Sequence, residues 1–420
     1  MSVVDVDRTT GALLVDGRKL FPIVLSNGPP LGAKAPNGKD ALAELAAGGA
    51  SFLRVGRPTW SLESIDQQIA AEREVLDAAA AHGLHCWLQL GNVPNLPSRG
   101  IAPKKQLLTR IVGDLKDHPA LGAWKGIDEP ANPNRPARVP AAGMVRAYRT
   151  LRETDPDHPV VITQAPVSTA AQLVPYRPAF DITGADIYPV SYPPGKHAGG
   201  RNRDIGVVGE ITRKMVRAAG GKPVWMTLQI AWSGVIPTEQ HPADIPRFPT
   251  LNQERFMAYQ AIVNGARGLA FFGGHLTQIA SPADAQAGWN WTFWELVLRP
   301  LLEELTSASV APALVAPDAP RAVKASSKQV ELVTREADGF LYVIAVRRGS
   351  GTSRVGFSGL PRRRDGQPIR GGEVLFEYVQ EPLPPPIDPS GQTFRTVSVA
   401  GNGFRDWFAQ HDARVYRFQR

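Results

Sequence analysis

Eight short β-rich runs alternate with segments of helical period along the first three quarters of the chain, and this alternation constrains the fold more than any other feature. The runs are almost continuously apolar, as is typical of parallel strands buried on both faces. They are FPIVLS (21–26), SFLRVG (51–56), HCWLQL (85–90), LGAWKGID (121–128), PVVITQA (159–165), DITGADIYP (181–189), PVWMTLQ (223–229) and GLAFFGG (268–274). The pattern predicts an α/β fold, with an all-parallel sheet covered by helices.

Eight strand–helix units within about 290 residues fit a closed (β/α)8 TIM barrel better than an open doubly wound sheet. A doubly wound sheet needs a glycine-rich phosphate turn after its first strand. The segment SNGPPLGAKAPNG has neither the G-x-G-x-x-G spacing nor that of a P-loop. The sequence therefore predicts a barrel.

The pattern changes after Glu304, where short alternating runs are separated by Gly, Pro and Asp turns. This predicts a C-terminal antiparallel β-sandwich, with one helical turn at FRDWFAQHD. The first residues, VVDVDRTTGALLVDGRKL, predict a hairpin that closes the lower end of the barrel. The expected domains are residues 1–20 (hairpin), 21–309 (catalytic barrel) and 310–420 (sandwich).

Composition excludes several classes of protein. With 43% apolar and 20% charged residues, the chain is typical of a globular protein, and no apolar run approaches the roughly 18 residues of a membrane span. A single cysteine, Cys86, excludes an intramolecular disulfide framework. The start, MSVVDVDRTTG, lacks the features of a signal peptide. The expected compartment is the cytoplasm, or the periplasm or exterior if a leader has been removed.

The net charge is +8, and residues 312–420 contribute +5 of it, with 16 basic and 11 acidic residues. The sharpest basic cluster, Arg362–Arg364 in PRRRDG, predicts a solvated loop; polyanion binding is the alternative. No nucleic-acid motif or stripe of aromatic residues is present. We therefore expect no nucleic-acid partner, and the charge leaves the function open.

In a barrel of this kind the functional site lies at the C-terminal ends of the strands. Amides, acids, arginines and aromatic residues occur there, a set suited to a neutral polyhydroxylated ligand. The residues are Ser26, Asn27, Arg54, Arg57, Gln89, Asn92, Asp128, Glu129, Gln164, Asp186, Tyr188, Gln229, Trp232 and His275.

Three other kinds of catalytic site fit the strand-end residues poorly. A metal centre draws histidines from several strands, and here only His275 is at a strand end. A serine hydrolase needs a G-x-S-x-G elbow, which is absent. A Schiff-base lysine would be Lys125, which precedes its strand end and has no phosphate-binding loop beside it. We therefore expect no metal and no cofactor.

Carboxylate chemistry remains, because glycoside hydrolysis needs a protonated acid and a second carboxylate. Asp128 and Glu129 end the fourth strand, and a pKa raised by packing near Trp124 would let Glu129 act as the acid. The alternative is that both residues cap the following helix, since carboxylates suit a helix N-terminus.

The segment HPALGAWKGIDEPAN resembles the fourth-strand motif of clan A retaining glycoside hydrolases, where Asn-Glu-Pro or Asp-Glu-Pro ends the strand. The resemblance implies that Glu129 is the acid/base, that Asp128 binds the sugar near its 2-hydroxyl, and that Arg54 braces the carboxylates. The segments LLVDGRKLFPIVLSNG and MAYQAIVNGARGLAFFGG are similar to the first and last strands of such barrels, the latter to those of bacterial members.

One position departs from the family, whose nucleophile is a Glu at the end of strand seven. Gln229 stands there, and an amide cannot attack an anomeric carbon. Asp186 is the expected second carboxylate, at an inverting separation of roughly 6.5–9.5 Å; the other interpretation of Asp186 is a strand-end acid that only holds the substrate or Arg54. The first alternative is substrate assistance, as in N-acetylhexosaminidases that use an Asp-Glu pair. The second is a non-catalytic sugar-binding protein.

The expected function is therefore glycoside hydrolysis of an oligo- or polysaccharide, with Glu129, Asp186 and Asp128 as catalytic residues. Trp232 and Trp291 are expected to stack on sugar rings, and Trp294 to belong to the core. The remaining substrate-binding candidates are Arg54, Asn27, Gln164, Tyr188, Gln229 and His275. A carbohydrate is the expected partner, and the oligomeric state stays open.

Overall fold

The computed structural model describes residues 2–134, 138–191, 202–230, 249–277, 281–320, 323–378 and 394–420. Eight parallel strands form a closed barrel in which each strand pairs with the next and the last pairs with the first. The prediction of a TIM barrel with C-terminal antiparallel sheets is confirmed. The barrel strands are β4 (Ile23–Ser26), β5 (Phe52–Gly56), β6 (His85–Gln89), β7 (Leu121–Lys125), β8 (Val160–Gln164), β9 (Ile182–Ala185), β10 (Val224–Gln229) and β11 (Ala266–Phe272).

Helices cover the outside of the barrel, and several begin at residues whose side chains cap them. Thr169 and Thr250 form capping boxes with Gln172 and Gln253, which satisfies backbone N–H groups at these helix starts. The helices are α1 (Ala41–Ala47), α2 (Ile65–Ala81), α3 (Ala102–Leu115), α4 (Ala141–Thr154), α5 (Ala170–Leu173), α6 (Val207–Ala219), α7 (Leu251–Val263), α8 (Pro282–Ala287), α9 (Trp291–Phe293), α10 (Arg299–Thr306) and α11 (Ala311–Val315). A 3-10 segment spans Val174–Ala179 and a π-helical segment spans Trp294–Leu298.

An N-terminal antiparallel sheet, β1 (Val4–Val6), β2 (Leu13–Val15) and β3 (Arg18–Leu20), packs against one end of the barrel. Its buried residues Val4 and Leu13 belong to the same apolar cluster as the barrel interior. Hydrogen bonds from Val4 N to Asp157 O (2.9 Å) and from Ser2 Oγ to Leu121 O (2.9 Å) fix it at the N-terminal end of the strands. The opposite end of the barrel is where the loops carry the candidate site.

The C-terminal part consists of two antiparallel sheets packed face to face. A five-stranded sheet has the order β13-β14-β19-β16-β17, and a three-stranded sheet has the order β12-β15-β18. FRDWFAQHD contains strand β18 rather than a helical turn, so that prediction is wrong. The strands are β12 (Lys324–Ala325), β13 (Val330–Ala337), β14 (Phe340–Arg347), β15 (Ser353–Ser358), β16 (Gly371–Tyr378), β17 (Phe394–Ser398), β18 (Gly403–Phe408) and β19 (Ala413–Gln419).

The five-stranded sheet carries apolar side chains on both of its faces, and successive residues of a strand point to opposite faces. Tyr342 and Ile344 of β14 join the main core shared with the barrel, whereas Leu341 and Val343 join the core between the two sheets. The three-stranded sheet is therefore the outermost layer, on the side away from the barrel.

No helix among the described residues is long and apolar enough to span a membrane.

Gly184 in β9 is a position where the barrel has no room for a side chain. A Cβ at this residue would overlap the carbonyl oxygen of Trp225 in the adjacent strand β10. We expect Gly184→Ala to destabilise the protein by about 3 kcal/mol or more, or to prevent folding. Urea unfolding followed by circular dichroism measures the change.

Gly113 provides the matched control, because it is exposed in α3 and a Cβ there would meet no atom within 4 Å. Gly113→Ala should stabilise the protein by about 0.5–1 kcal/mol, since alanine loses less backbone entropy in a helix. A Gly184→Ala protein that unfolds at the same urea concentration as the unsubstituted protein would contradict the packing of β9 on β10.

Candidate active site

A cavity of about 140 Å³ opens at the C-terminal end of the barrel. It is formed by the last inward-facing residues of the strands together with residues of the loops that follow them. The lining residues are Ser26, Arg54, Trp87, Lys125, Asp128, Glu129, Thr163, Asp186, Tyr188, Thr227 and Phe272. The structure thus brings together six of the strand-end residues that the sequence singled out: Ser26, Arg54, Asp128, Glu129, Asp186 and Tyr188.

Side chains alternate in direction along each strand, so only every second residue of a strand can line this cavity. One inward-facing layer is apolar and includes Val24, Phe52, Ala123, Val161, Trp225 and Ala270. The residue two positions further along each of these strands lines the cavity, which gives Ser26, Arg54, Lys125, Thr163, Thr227 and Phe272. The floor of the site is therefore an apolar plug, and its wall is the next layer of the barrel.

Glu129 is held in an unusual backbone conformation beside Thr163. Its φ is 44°, in the left-handed region that residues other than glycine seldom adopt. Its backbone N–H donates to Thr163 O at 2.8 Å, and Asn132 Nδ2 donates to its Oε2 at 2.9 Å. Such strain persists only where the surroundings impose it, and it occurs at functional sites.

Asp128 and Glu129 do not cap the following helix, so the capping alternative is wrong. That helix, α4, begins at Ala141 after Pro140, with no side-chain cap. Trp124 does not pack near Glu129 either. Its indole is fully buried and donates to Asp155 at 2.7 Å, and this carboxylate also binds His158 at 2.8 Å.

The carboxyl groups of Asp186 and Glu129 both line the cavity and lie close enough to interact directly. The pKa of Asp186 is raised well above its ordinary value, because burial and the nearby carboxyls of Glu129 and Asp128 disfavour its charge. Two carboxyl groups this close repel each other when both are ionised, which favours one proton between them. The contact is also much closer than the inverting separation expected from the sequence.

Lys125 was named in the sequence only to be set aside as a Schiff-base residue, and the structure places it in the wall of the cavity. It is 1% exposed, and its Nζ donates to Asp128 Oδ1 at 2.6 Å and lies 5.3 Å from the centre of the Trp87 ring. Burial lowers the pKa of Lys125, while Asp128 and Asp186 oppose that shift.

The charges of the site balance when the Glu129–Asp186 pair holds one proton. That pair and Asp128 then carry two negative charges, and Arg54 and Lys125 carry two positive ones. Uncompensated charge is costly in a buried cavity, so this protonation state is the favoured one.

Arg54 is fixed by a chain of hydrogen bonds at the mouth of the site. Its Nη2 donates to Asn27 Oδ1 at 2.5 Å, and Asn27 Nδ2 lies 2.9 Å from His275 Nδ1. An amide nitrogen only donates, so His275 accepts at Nδ1 and is neutral with its proton on Nε2. Burial and the charge of Arg54 lower the pKa of His275 in the same direction.

Three other predicted binding residues lie elsewhere. Gln229 is fully buried, and its amide pairs with the backbone of Val190, accepting from N at 2.9 Å and donating to O at 2.8 Å. Gln164 is 1% exposed and outside the cavity lining. Trp291 is 1% exposed in α9, against Trp289, so neither face of its ring is open to a sugar. Trp232 lies outside the described residues.

Tyr188 stacks on Phe272 with 5.8 Å between ring centres, and both rings line the cavity. Burial raises the pKa of the Tyr188 hydroxyl, as do the carboxyls of Asp186 and Asp128. Within the described part of the chain, no group of three or more His, Cys, Asp or Glu side chains has a metal-binding arrangement.

The chain is similar in fold to solved glycoside hydrolases. A family 5 enzyme from Bacteroides vulgatus matches with a TM-score of 0.61 at 12% identity, over 99% of this chain and 93% of that one. An α-amylase from Geobacillus thermoleovorans matches at 0.53 and 10%, over 95% and 98%. A family 30 endoxylanase from Clostridium papyrosolvens matches at 0.50 and 12%, over 96% and 97%. No family model and no curated protein matches the sequence.

The shared proton predicts an unusual dependence of stability on pH. A raised pKa in the folded state means that the native protein binds more protons than the unfolded chain, so Asp186 stabilises it fully only at low pH. This stabilisation is lost as pH rises through the raised pKa. We expect Asp186→Asn to unfold at a higher urea concentration than the unsubstituted protein at pH 8, with the difference disappearing near pH 3.

Asp181 is the matched control, at the start of the same segment of chain. Its carboxylate accepts from Tyr148 Oη at 2.7 Å and from Val160 N at 2.9 Å. Asp181→Asn should destabilise the protein at pH 8, because a carboxylate with donors is replaced by an amide. Equal losses of stability in both variants at pH 8 would contradict the shared proton.

Proposed function

We propose that the protein hydrolyses an O-glycosidic bond in an oligo- or polysaccharide, with Glu129 as general acid and Asp186 as the second carboxylate. The observation that carries the proposal is the contact between these two carboxyls, at the C-terminal mouth of a barrel. A proton that the pair holds above the ordinary pKa of a carboxyl is what protonation of a leaving oxygen requires. The fold likeness to glycoside hydrolases agrees with this reaction.

Glu129 transfers the proton of the pair to the glycosidic oxygen as the C–O bond breaks. Asn132 Nδ2 donates to Oε2 of Glu129 at 2.9 Å, which fixes the orientation of this carboxyl. Proton transfer leaves one more negative charge on the pair, and this charge is offset by the positive charge that develops on the sugar ring as the bond breaks. Water restores the proton when the sugar hemiacetal forms.

Asp186 serves as the base that activates this water in our first mechanism. Inverting enzymes separate their carboxyls by roughly 6.5–9.5 Å to admit the water. The resting contact between Glu129 and Asp186 must therefore open when the sugar binds. Tyr188 lines the same cavity as Asp186.

Substrate assistance is the second candidate mechanism, and the position of Asp128 favours it. The Asp128 side chain is 47% exposed and is held by Lys125 at 2.6 Å, so an ionised oxygen is presented at the mouth of the cavity beside Glu129. It would orient the acetamide of an N-acetylhexosaminide, which then acts as nucleophile. This mechanism needs no gap between Glu129 and Asp186.

The presence of Gln229 in place of a Glu is not an argument for a non-catalytic sugar-binding protein in this structure. Both of its amide atoms pair with the backbone of Val190, so this residue supports a neighbouring loop and does not stand in the place of a nucleophile. From strand β10 it is Thr227 that lines the cavity. Arg54, Asn27, His275 and Tyr188 are the proposed sugar-binding residues.

The test is hydrolysis of aryl glycosides and oligosaccharides, with and without a 2-acetamido group, followed by NMR of the product anomer. Glu129→Gln should lower kcat/KM by about 100-fold or more, because an amide cannot give up the proton. Inverted product, with Asp186→Asn equally impaired, supports the first mechanism. Retained configuration restricted to 2-acetamido substrates, with Asp128→Asn impaired, supports the second.

Glu254→Gln is the control for loss of a buried carboxyl. Glu254 is fully buried in α7, its oxygens have no partner among the described residues, and it does not line the cavity. This variant should keep the kcat/KM of the unsubstituted protein. Absence of turnover on every substrate, with sugar binding unaffected by Glu129→Gln, would refute the proposal.

A further inference from the structure

The outer face of the three-stranded sheet carries an exposed tryptophan on the side of the molecule away from the barrel. Trp407 of β18 is 57% exposed, and it is the only aromatic residue among the large apolar side chains that are exposed in the described part of the chain. Exposing an indole to water costs free energy that burial would recover, and such side chains are common at binding surfaces.

Strand register places two arginines beside this ring. Trp407 pairs with Arg354 of β15, and Arg405 pairs with Gly356. Partners in an antiparallel pair project from the same face, so Arg354, Arg405 and Trp407 all point outwards. The alternate residues, such as Phe357 and Phe404, fill the core between the sheets.

An open depression of about 760 Å³ lies on this face. Arg354 and Arg405 form part of its wall, together with the polar side chains of Ser326, Ser358 and Asn402. Gly356 has no side chain to fill the space opposite Arg405. Trp407 is two residues from Arg405, roughly 7 Å along the strand, so the ring stands at one end of the depression.

The arginines of the two sheets differ in their partners. On the five-stranded sheet each arginine of β17 and β19 is paired with a carboxylate at 2.7 Å, as for Arg395, Arg414 and Arg417. Arg420, which follows β19, pairs with Glu336 at 3.0 Å. Arg354 and Arg405 have no carboxylate within 4.0 Å among the described residues. Two positive charges of the C-terminal part that no carboxylate neutralises therefore lie beside Trp407.

We propose that this outer face binds an oligosaccharide that contains uronic acids. The Trp407 ring would stack on a pyranose face, and the guanidinium forks of Arg354 and Arg405 would take carboxylates of neighbouring sugars as bidentate pairs. The serine and asparagine side chains suit the remaining hydroxyls.

Charge spacing favours this ligand over other polyanions. Lys324 pairs with Ser358, so three cations are spread over three strands, which matches a chain with about one charge per sugar. Sequence-tolerant binding of single-stranded nucleic acid uses successive aromatic side chains, and only Trp407 is available here. The choice of a saccharide rests on the proposed function, but the binding does not require catalysis.

Isothermal titration of the full chain carrying Glu129→Gln, which prevents turnover, tests the inference. The ligands are tetragalacturonic acid and the same oligomer with its carboxyls reduced to hydroxymethyl groups. We expect the acidic oligomer to bind more tightly. Trp407→Ala should weaken binding of both by at least about tenfold, and Arg354→Gln with Arg405→Gln should remove the preference for the acid.

A matched control removes the same charge elsewhere. Arg18 and Arg364 are exposed and have no carboxylate within 4.0 Å among the described residues, so Arg18→Gln with Arg364→Gln should leave both affinities unchanged. Equal weakening by this control would show general charge attraction and refute the site. Tighter binding of a sulfated tetrasaccharide or of a single-stranded oligonucleotide would refute the assigned ligand.

The outcome is separable from that of the proposed function. Without Glu129→Gln, the Trp407→Ala protein should hydrolyse small aryl glycosides at the normal rate, because the two sites lie on opposite sides of the five-stranded sheet. Hydrolysis with no Trp407-dependent binding refutes this inference alone. Trp407-dependent binding by a protein without hydrolysis refutes the proposed function alone.

Discussion

Side-chain alternation in a closed barrel is the constraint on which the rest of this structure depends. Every second residue of a strand points to the axis, and the axis has room for only a few layers of side chains. The lower layer is filled by residues such as Phe52 and Trp225, so the next inward positions form a wall above an apolar floor. Arg54 and Lys125 are thereby held on strands, not loops, and this keeps two cations within a fixed distance of the carboxyls.

The sequence predicted the barrel well because apolar runs and glycine-ended helices are local signals. It predicted Glu129, Asp186 and Arg54 for the cavity because strand ends converge in any such barrel. The sequence analysis did not assign Lys125 and Thr163 to the site, because it chose candidates by their position at the ends of the apolar runs. The direction in which each side chain points was the better guide, since Lys125 and Thr163 follow the inward-facing Ala123 and Val161 by two positions.

Errors arose where a distant partner decides what a side chain does. The amide of Gln229 forms hydrogen bonds with the backbone of Val190, and no sequence pattern predicts that pairing. FRDWF alternates as a strand only if Asp406 is counted as an inward residue. Its burial depends on Arg395, 2.7 Å away on β17, and on the hydroxyl of Tyr416 at 2.9 Å. A buried carboxylate and an exposed tryptophan together reverse the apolar pattern that the sequence would show.

In the proposed mechanisms, the neighbouring carboxyls of Glu129 and Asp186 link protonation to substrate binding. The pair keeps its proton until a sugar separates the two groups. Such a sugar would expose the proton of Glu129 and free Asp186 to act as a base, so the acid and the water would become available together. A sugar that carries its own acetamide needs only the proton, and Asp128, fixed by Lys125, is already placed for it. On this proposal the substrate, rather than the protein alone, determines which of the two mechanisms operates.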